Sequence, residues 1–391
     1  MTARPPVEAL AAPEVLARLA ASGLRGRGGG WFPAVRKWRA VLAEGGDPAV
    51  VANGAEGEPG SIKDRFLLRT RAAEVIEGTE LAAAALGASE AILYLKGSFE
   101  REEAHLRRAG GRVTVRRGAD TYVAGEETAV LEALEGRRAW PRPKPPLPAA
   151  VGLRGRPTLV QNVETLWRLR EAVRDPEAFR ARETTLVSLW GHVRRPGVYD
   201  VPLGTPLRRV VDEYGGGAPD GIGLLFPAGP SAPPLVADRA DVPLDPDALR
   251  EAGSGLGTAA VLVIGSEACP LAVAASVAGF FEREACGQCP PCTVGTGNLA
   301  RIVRAIESGG ARARDLVSLA EAAGFMSGHG YCAHSRTAAA AVRGILARVP
   351  ADVEAHLRAG RCPREGGASD PFAAGSPERQ GVERALDERT A

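Results

Sequence analysis

Three cysteines stand at successive three-residue spacing in Cys286-Gly-Gln-Cys289-Pro-Pro-Cys292, and Cys332 follows forty residues later. Gly287, Pro290 and Pro291 hold this segment out of regular helix, so its three thiolates can reach three corners of an iron–sulfur cubane while a remote ligand closes the fourth. A structural zinc ion is the alternative. Zinc usually takes two CxxC knuckles or Cys/His pairs, and three thiolates from one seven-residue loop would crowd a single tetrahedral ion. The spacing therefore predicts a 4Fe-4S cluster on Cys286, Cys289, Cys292 and Cys332. Cys269, at the start of an apolar helix, reads as a small buried hydrophobe, and Cys362 as a free thiol without a role. His329 and His334 flank Cys332; they read as solvated loop histidines, with ligation or a hydrogen bond to a sulfide as the other option.

A second group of residues suits an anion. In Gly23-Leu-Arg-Gly-Arg-Gly-Gly-Gly-Trp-Phe-Pro the glycines let backbone N–H groups approach a phosphate closely, and Arg25, Arg27 and Lys37 add positive charge. A Gly-rich linker with arginines would look similar. The strand-like run AVVAN then leads into Asn53-Gly-Ala-Glu56-Gly-Glu58-Pro-Gly and Lys63-Asp64-Arg65, placing polar acceptors at the carboxyl end of a strand, where α/β sheets bind ligands. Carboxylates there suit ribityl or ribose hydroxyls. In Tyr122-Val-Ala-Gly125-Glu126-Glu127-Thr128 two acids stand at a helix start, as capping groups or as ligand contacts. Asn162 reads as a helix N-cap, which leaves Gln161 and Thr165 to hydrogen-bond a ligand.

The elements that must position these groups follow from the patterning. Through about residue 170, apolar runs (AVVAN at 49–53, AILYLKG at 91–97, RVTVRRG at 112–118) alternate with helical stretches such as Ala72 to Leu86, the rhythm of an α/β domain with a largely parallel sheet. The Pro-rich segment from Pro141 to Pro148 can be neither helix nor central strand, so it is a pinned loop. From Thr184 two short strands around a Pro-Gly turn precede a helix, fitting a small half-barrel or ubiquitin-like α+β module. Four amphipathic stretches between Pro270 and Arg348 make a helical bundle whose connections carry the cysteines. Beyond about Gly360 the low apolar content predicts a disordered tail.

Composition narrows the partners. The 391 residues, 45% hydrophobic, can bury a large core, and 49 basic against 47 acidic residues leave a net charge of +2, which supplies no polyelectrolyte drive toward nucleic acid or anionic membranes. The apolar stretch Ala259–Phe281 is interrupted by Glu267 and Pro270, so direct membrane insertion is not expected. Arg4, Glu8 and Glu14 are unlike a signal peptide and suggest a cytoplasmic chain, in which six cysteines point to metal or redox chemistry rather than disulfides.

Together the stretches GLRGRGG, NGAEGEPGSIKDR, YVAGEETAVLEALEGRR, PRPKPPLPAAVGLRGRPTLVQNVETL and CGQCPPC with Cys332 resemble the FMN- and NADH-binding flavoprotein subunit of bacterial respiratory complex I, and the similar subunits of NAD-dependent formate dehydrogenases and hydrogenases. The resemblance covers about residues 20 to 350. It implies a Rossmann-like FMN domain over 1–180, a ubiquitin-like SLBB-type domain over 181–267 and a helical 4Fe-4S domain over 268–350, and composition adds a disordered tail over 351–391. Carried over by position, FMN is held by Gly26, Gly28, Lys37, Asn53, Glu56, Tyr122, Gly125, Glu126, Gln161, Asn162 and Thr165, with Arg27, Gly29 and Gly57 in the same loops. NADH lies near Phe32, Glu58, Glu127 and Lys144, and Glu126 and Glu127 position the reacting rings. The implied activity is NADH dehydrogenase-type: FMN accepts a hydride from NADH, and single electrons pass through the cluster to a separate iron–sulfur protein or subunit.

Four positions depart from the family pattern. Trp31 stands where the Gly-rich loop normally leaves room for a dinucleotide, Leu147 where a Phe usually stacks on adenine, Ala55 in place of an acid and Gln161 in place of an Asn. A ferredoxin or other non-nicotinamide partner, or a non-catalytic assembly subunit, are the rival readings those changes leave open. Against them stands the lysine usage. Only Lys37, Lys63, Lys96 and Lys144 accompany 45 arginines, and three of the four fall in the matched motifs, where a compact ammonium is not interchangeable with guanidinium.

Overall fold

The structure, a computed structural model, describes residues 10–364, 370–373 and 375–390. The tail expectation for 365–369, 374 and 391, and the reading of Arg4 and Glu8, lie outside the described residues. The chain divides into two compact units, one running to Gly57 and resuming over Lys63–Leu186, the other taking Glu58–Ile62 and Val187–Arg389.

The first unit opens with α1 (Ala12–Ser22) and α2 (Ala34–Glu44), followed by β1 (Ala49–Asn53), α3 (Lys63–Thr70), α4 (Ala72–Leu86), β2 (Glu90–Lys96), α5 (Glu100–Ala109), β3 (Thr114–Gly118), α6 (Glu127–Leu134), β4 (Thr158–Asn162), α7 (Val163–Arg174) and α8 (Pro176–Ala181). Helix α1 carries a proline in its first turn, where the missing N–H costs nothing, and stops at Gly23 in the left-handed region. The residues of β1 up to Ala52 are fully buried, as a run of small and β-branched side chains covered on both faces must be.

Its four strands pair in parallel in the order β3-β2-β1-β4. The chain winds outward from β1 through β2 to β3 and returns to the other side of β1 at β4. That reversal of strand order is a topological switch point, and the loops leaving β1 and β4 lie side by side at the carboxyl end of the sheet. In register, Ala52 faces Gln161 and Asn53 faces Asn162, so the motifs after β1 and β4 are brought to the same edge of the sheet. Val51, Ile92, Tyr94 and Val160 pack with Val130 and Leu131 of α6. Elsewhere in the unit α4 meets α7 so closely that a Cβ at Gly78 would lie 2.0 Å from the Leu166 carbonyl oxygen, so only glycine serves there.

The second unit holds a five-stranded mixed sheet, order β6-β5-β9-β7-β8, from β5 (Thr184–Gly191), β6 (Gly197–Pro202), β7 (Leu224–Pro230), β8 (Leu235–Val236) and β9 (Ala260–Ile264). Short helices α9 (Leu207–Arg209) and α10 (Pro246–Glu251) lie in its connections. Helices α11 (Pro270–Arg283), α12 (Gly297–Glu307), α13 (Ala313–Gly328) and α14 (His334–Arg348) form the expected bundle. In α12 the buried Leu299, Ile302, Val303 and Ile306 fall on one helical stripe.

The described tail differs from the sequence expectation of disorder. It carries α15 (Pro350–Ala359) and α16 (Pro377–Thr390), and Phe372 is buried with its ring 5.9 Å from Trp190, 6.2 Å from Phe226 and 6.3 Å from Phe280. One buried aromatic, helped by Val382 and Leu386 of α16, anchors a segment whose average composition is polar.

Candidate functional site

At the switch point the two asparagines brace the loops around them. Asn53 Nδ2 donates to the Gly125 carbonyl at 2.8 Å while its Oδ1 accepts from the Ala55 amide at 3.1 Å. Asn162 caps α7, as expected, by accepting from the Glu164 amide at 2.9 Å, and its Nδ2 donates to Asp64 Oδ2 at 2.7 Å. Glu56 accepts from the first-turn amides of α3, Asp64 at 3.1 Å and Arg65 at 3.2 Å. The acceptor and donor groups expected to face a ligand thus spend much of their capacity bracing the loops at the strand ends. Gln161 is different: it is buried, and its Oε1 has no hydrogen-bond partner. An orphaned acceptor at the carboxyl end of β4, beside β1, suits an N–H or hydroxyl donor supplied by a ligand such as a flavin.

The Gly-rich loop is tied across its neck by Gly26 N–H donating to the Phe32 carbonyl and Ala34 N–H to the Leu24 carbonyl, both at 2.9 Å. It rests on the end of β4, since a Cβ at Gly28 would come within 3.2 Å of the Asn162 Cβ, and the Arg27 amide donates to Thr165 Oγ1 at 2.8 Å. The Arg27 side chain does not serve the loop as an anion ligand. It is buried, pairs with Glu183 at 2.6 Å and lies 4.2 Å from the Trp31 ring centroid. Trp31 in turn is 3% exposed and sits at φ 49°, held by Arg25 Nε donating to its carbonyl at 2.7 Å. The ring at the place that normally leaves room for a dinucleotide, there to stack on a base or to block it, is instead folded inward under a cation–π contact. Its neighbour Phe32 takes the open position at 50% exposure.

Four charged groups form an open rim. Lys37 Nζ donates to Glu127 Oε2 at 2.7 Å, and Lys144 Nζ donates to Glu127 Oε1 at 3.1 Å and to Glu126 Oε1 at 2.5 Å. All four side chains keep between 18% and 28% of their surface exposed. Glu126 is also the N-cap of α6, its Oε2 accepting from the Thr128 and Ala129 amides, so capping and pairing coexist in one carboxylate. Burial alone would raise Glu127, but Lys37 and Lys144 outweigh it and hold the carboxyl below its ordinary range. Lys144 responds in kind: burial would lower it, yet Glu126 and Glu127 raise it.

A second ion network lies wholly inside this unit. Lys63 Nζ is 2.6 Å from Asp64 Oδ1 and 3.1 Å from Glu164 Oε2, and Arg168 Nε is 3.0 Å from Glu164 Oε1. Glu164 would be raised by burial but is held down to about 2 by Lys63, Arg168 and Arg27, whereas burial pushes Asp64 up to about 7. Glu164, Arg168 and Glu183 are not among the expected site residues; the four-residue step from Glu164 to Arg168 on a helix is the signal that marks the first two. Among the remaining expected contacts, Gly57, Tyr122 and Gly125 lie together, a Cβ at Gly57 falling 3.1 Å from the Tyr122 carbonyl and one at Gly125 2.6 Å from that of Ala55. Gly29 takes φ 107°, which glycine alone tolerates easily. Glu58 belongs to the second unit, where both its carboxylate oxygens accept from Ser231 Oγ, at 2.8 and 2.9 Å.

In the second unit Cys286 and Cys289 lie between α11 and α12, Cys292 in a wide turn over Pro291–Thr296, and Cys332 between α13 and α14. The Cys292 thiol is pushed up to about 12 by burial and then by Cys289, Cys332 and Cys286, so the four sulfurs lie within electrostatic reach of one another. A donor set of four thiols from one tight loop and one remote residue fits an iron–sulfur cluster, whose positive irons remove that mutual repulsion. His334 is not the solvated loop residue expected. It is buried in the first turn of α14, with Nε2–H donating to the Phe281 carbonyl at 2.8 Å, and burial lowers its pKa. His329 is exposed, Nδ1–H donating to the Phe325 carbonyl at 3.0 Å.

A polar cluster at a Rossmann-like switch point, and a three-thiol loop joined by one remote thiol on a helical bundle, carried by one chain, define an iron–sulfur flavoprotein. The comparisons with known proteins agree: the chain matches the Nuo51 FMN-binding domain over residues 19–171, the SLBB domain over 186–223 and the iron–sulfur binding region of NADH-ubiquinone oxidoreductase-F over 272–356. It is 37% identical over 379 residues to the second F-type subunit of the NADH-quinone oxidoreductase of Rhizobium meliloti (strain 1021), covering 90% of each chain. It is 36% identical over 394 residues to the F-type subunit of the Streptomyces coelicolor NADH-quinone oxidoreductase, covering 93% of this chain and 88% of that one. An NAD+-reducing nickel–iron hydrogenase in its H2-reduced state superposes with a TM-score of 0.82 at 32% identity, covering 93% of this chain and 65% of that chain. The chain belongs to the family of F-type subunits of NADH-quinone oxidoreductase, oxidoreductases of the NADH dehydrogenase type. Among the described residues, no helix is long and apolar enough to cross a membrane.

Proposed function

We propose that this chain oxidises NADH at FMN and delivers the electrons singly, through a 4Fe-4S cluster on Cys286, Cys289, Cys292 and Cys332, to a separate iron–sulfur protein or subunit in the cytoplasm. FMN, when bound, supplies the exchange between hydride and single electrons, chemistry that no side chain provides. The protein contributes binding, orientation and electrostatics. Gln161, Asn53, Asn162, Thr165 and the amides of the Gly26–Gly29 loop would hold FMN, with Glu56, Gly57, Tyr122 and Gly125 shaping the opposite wall. Glu127, kept ionised by its two lysines, and Lys144 would orient the nicotinamide nucleotide, with Phe32 and Leu147, 50% and 56% exposed, offering apolar surface to its rings.

The observation that carries this reading is the buried, unpartnered Gln161 Oε1 at the carboxyl end of β4, beside β1. The inward fold of Trp31 favours NADH over the rival partners, because the residue that would have closed the nucleotide site is packed beneath Arg27. Anaerobic absorption spectroscopy of the FMN- and cluster-loaded protein tests it: NADH should bleach the flavin within seconds. Flavin that dithionite reduces but neither NADH nor NADPH does would overturn the nucleotide half, and a protein that takes up no FMN would overturn the whole.

A further inference from the structure

Two cysteines set aside by their sequence context meet in the fold. Cys269 is the N-cap of α11, His356 lies on α15, and Cys362 follows that helix two residues beyond its glycine cap. Cys269 Sγ is 3.3 Å from His356 Nε2 and 3.7 Å from Cys362 Sγ, and the three ligand atoms all lie within 4.8 Å of one another. Cys269 and His356 are fully buried. With zinc–sulfur bonds of about 2.3 Å and zinc–nitrogen bonds of about 2.05 Å, a tetrahedron has sulfur–sulfur edges of about 3.8 Å and sulfur–nitrogen edges of about 3.6 Å. The sulfur–sulfur and Cys269–His356 spacings, 3.7 and 3.3 Å, are close to those edges. A disulfide would require the sulfurs to approach to about 2.05 Å.

The surroundings suit a metal as well. His356 Nδ1 lies 2.7 Å from the Asp352 carbonyl oxygen, which can only accept, so Nδ1 carries the proton and Nε2 is left to present its lone pair toward the sulfurs. Metal-bound histidines are oriented in this way by their second nitrogen. Burial raises the Cys269 thiol, and the first-turn amides of Ala272 and Leu271 in α11 offset part of that rise.

We infer that Cys269, His356 and Cys362 bind one zinc ion, with solvent at the fourth position beside the partly exposed Cys362. Binding deprotonates two thiols and changes no oxidation state: the two protons pass to solvent, and two zinc–sulfur bonds and one zinc–nitrogen bond form. Two thiolates and an imidazole in a tetrahedral cage select Zn2+ over Mg2+ or Ca2+. The ion fastens α15 and the segment after it to the start of α11. Helix α11 then runs about 21 Å to the loop of Cys286, so this centre is separate from the iron–sulfur cluster and braces the helix that leads into it.

The test uses the FMN- and cluster-loaded protein, purified anaerobically from cells supplied with ZnCl2. Elemental analysis should find about one zinc per chain, and zinc-edge X-ray absorption should show two sulfur and at least one nitrogen neighbour. C362S and H356Q should lose the zinc while keeping iron and flavin, and C286S should lose iron while keeping zinc. Wild-type protein without stoichiometric zinc would overturn the inference. So would zinc that survives C362S but disappears with C286S, which would place the ion in an unfilled cluster loop, or a Cys269–Cys362 disulfide detected by mass spectrometry in freshly isolated protein. Should the variants fail to fold, the zinc content and absorption spectrum of the wild type decide the question.

Discussion

The first unit contains two ion networks of similar make-up and opposite setting. Around Glu164, the side chains of Arg27, Lys63 and Arg168 are at most 2% exposed, whereas Lys37, Glu127, Lys144 and Glu126 form a rim 18–28% exposed. Buried charges must be fully compensated, so each member of the inner network holds the others in place; rim charges can exchange a protein partner for a ligand at small cost. The contrast divides the rare lysines. Lys63 lies enclosed between Asp64 and Glu164, where it serves the fold, and only Lys37 and Lys144 remain as site residues. A lysine kept among 45 arginines thus marks a place needing a compact ammonium, and burial decides whether that place is structural or functional.

The largest effect should come from breaking the inner network. Lys63→Met leaves Glu164 and Asp64 facing each other without their shared cation, and urea denaturation should register a loss of about 3–5 kcal/mol. Lys144→Met, at the rim, should cost under about 1 kcal/mol. Equal losses for the two variants would erase the distinction.

Acid should separate the networks next. The folded-state pKa of Glu164, about 2, lies below its ordinary 4.5, so its contribution to stability is present above 4.5 and is lost as pH falls toward 2. The gap corresponds to stabilisation on the order of 3 kcal/mol. Asp64 carries the opposite sign: raised from 3.8 to about 7, it favours the folded state below 3.8, and that contribution is lost as pH rises through 7. At the rim, Glu127 is depressed and Lys144 raised, so both stay charged from above the carboxylate range up to beyond pH 10. Stability measured by denaturation should therefore fall steeply between pH 4.5 and 2 and less so in Glu164→Gln, while flavin reduction by NADH shows no titration from Glu127 or Lys144 between pH 6 and 9.

The rim itself is sharpened by conservative exchange. Lys144→Arg and Lys37→Arg keep the charge but spread it over a planar fork that cannot reproduce a single short bond to Glu127. Stopped-flow reduction of the flavin should slow about tenfold, the equivalent of roughly 1.4 kcal/mol of lost charge-assisted hydrogen bonding, with FMN affinity little changed. Unchanged rates would assign these lysines to drift in codon usage.

How much of this was legible beforehand depended on the range of the interaction. AVVAN and the helix from Ala72 to Leu86 occur where the local pattern places them, because burial on both faces of a parallel strand and an Ala-rich helical run are local signals. The Asn162 cap was local too. Strand β4 was not read, since TLVQN follows a Pro-rich loop and runs straight into a helix. Trp31 turns inward because of Arg27 and the partners of Arg27 more than 130 residues away, and Cys362 meets Cys269 across 93 residues. Phe372 anchors the tail through rings from three distant elements. None of these encounters leaves a periodicity or spacing in the sequence.

The smallest expected effect probes the apolar edge of the rim. Leu147 is 56% exposed in the loop that carries Lys144, at the position where the family resemblance places an adenine-stacking Phe. Because the side chain is already in solvent, Leu147→Phe should leave the denaturation midpoint where it is. An aromatic contact is worth about 0.5–1.5 kcal/mol, so the dissociation constant for NADH, read from flavin bleaching under anaerobic titration, should fall about two- to tenfold. A tighter site with an unchanged maximal rate of flavin reduction would show that this position serves nucleotide binding and that Lys37, Lys144 and Glu127 set the reacting geometry. No change in affinity would mean that the nucleotide does not reach the loop at Leu147, and would move the adenine toward Phe32 instead.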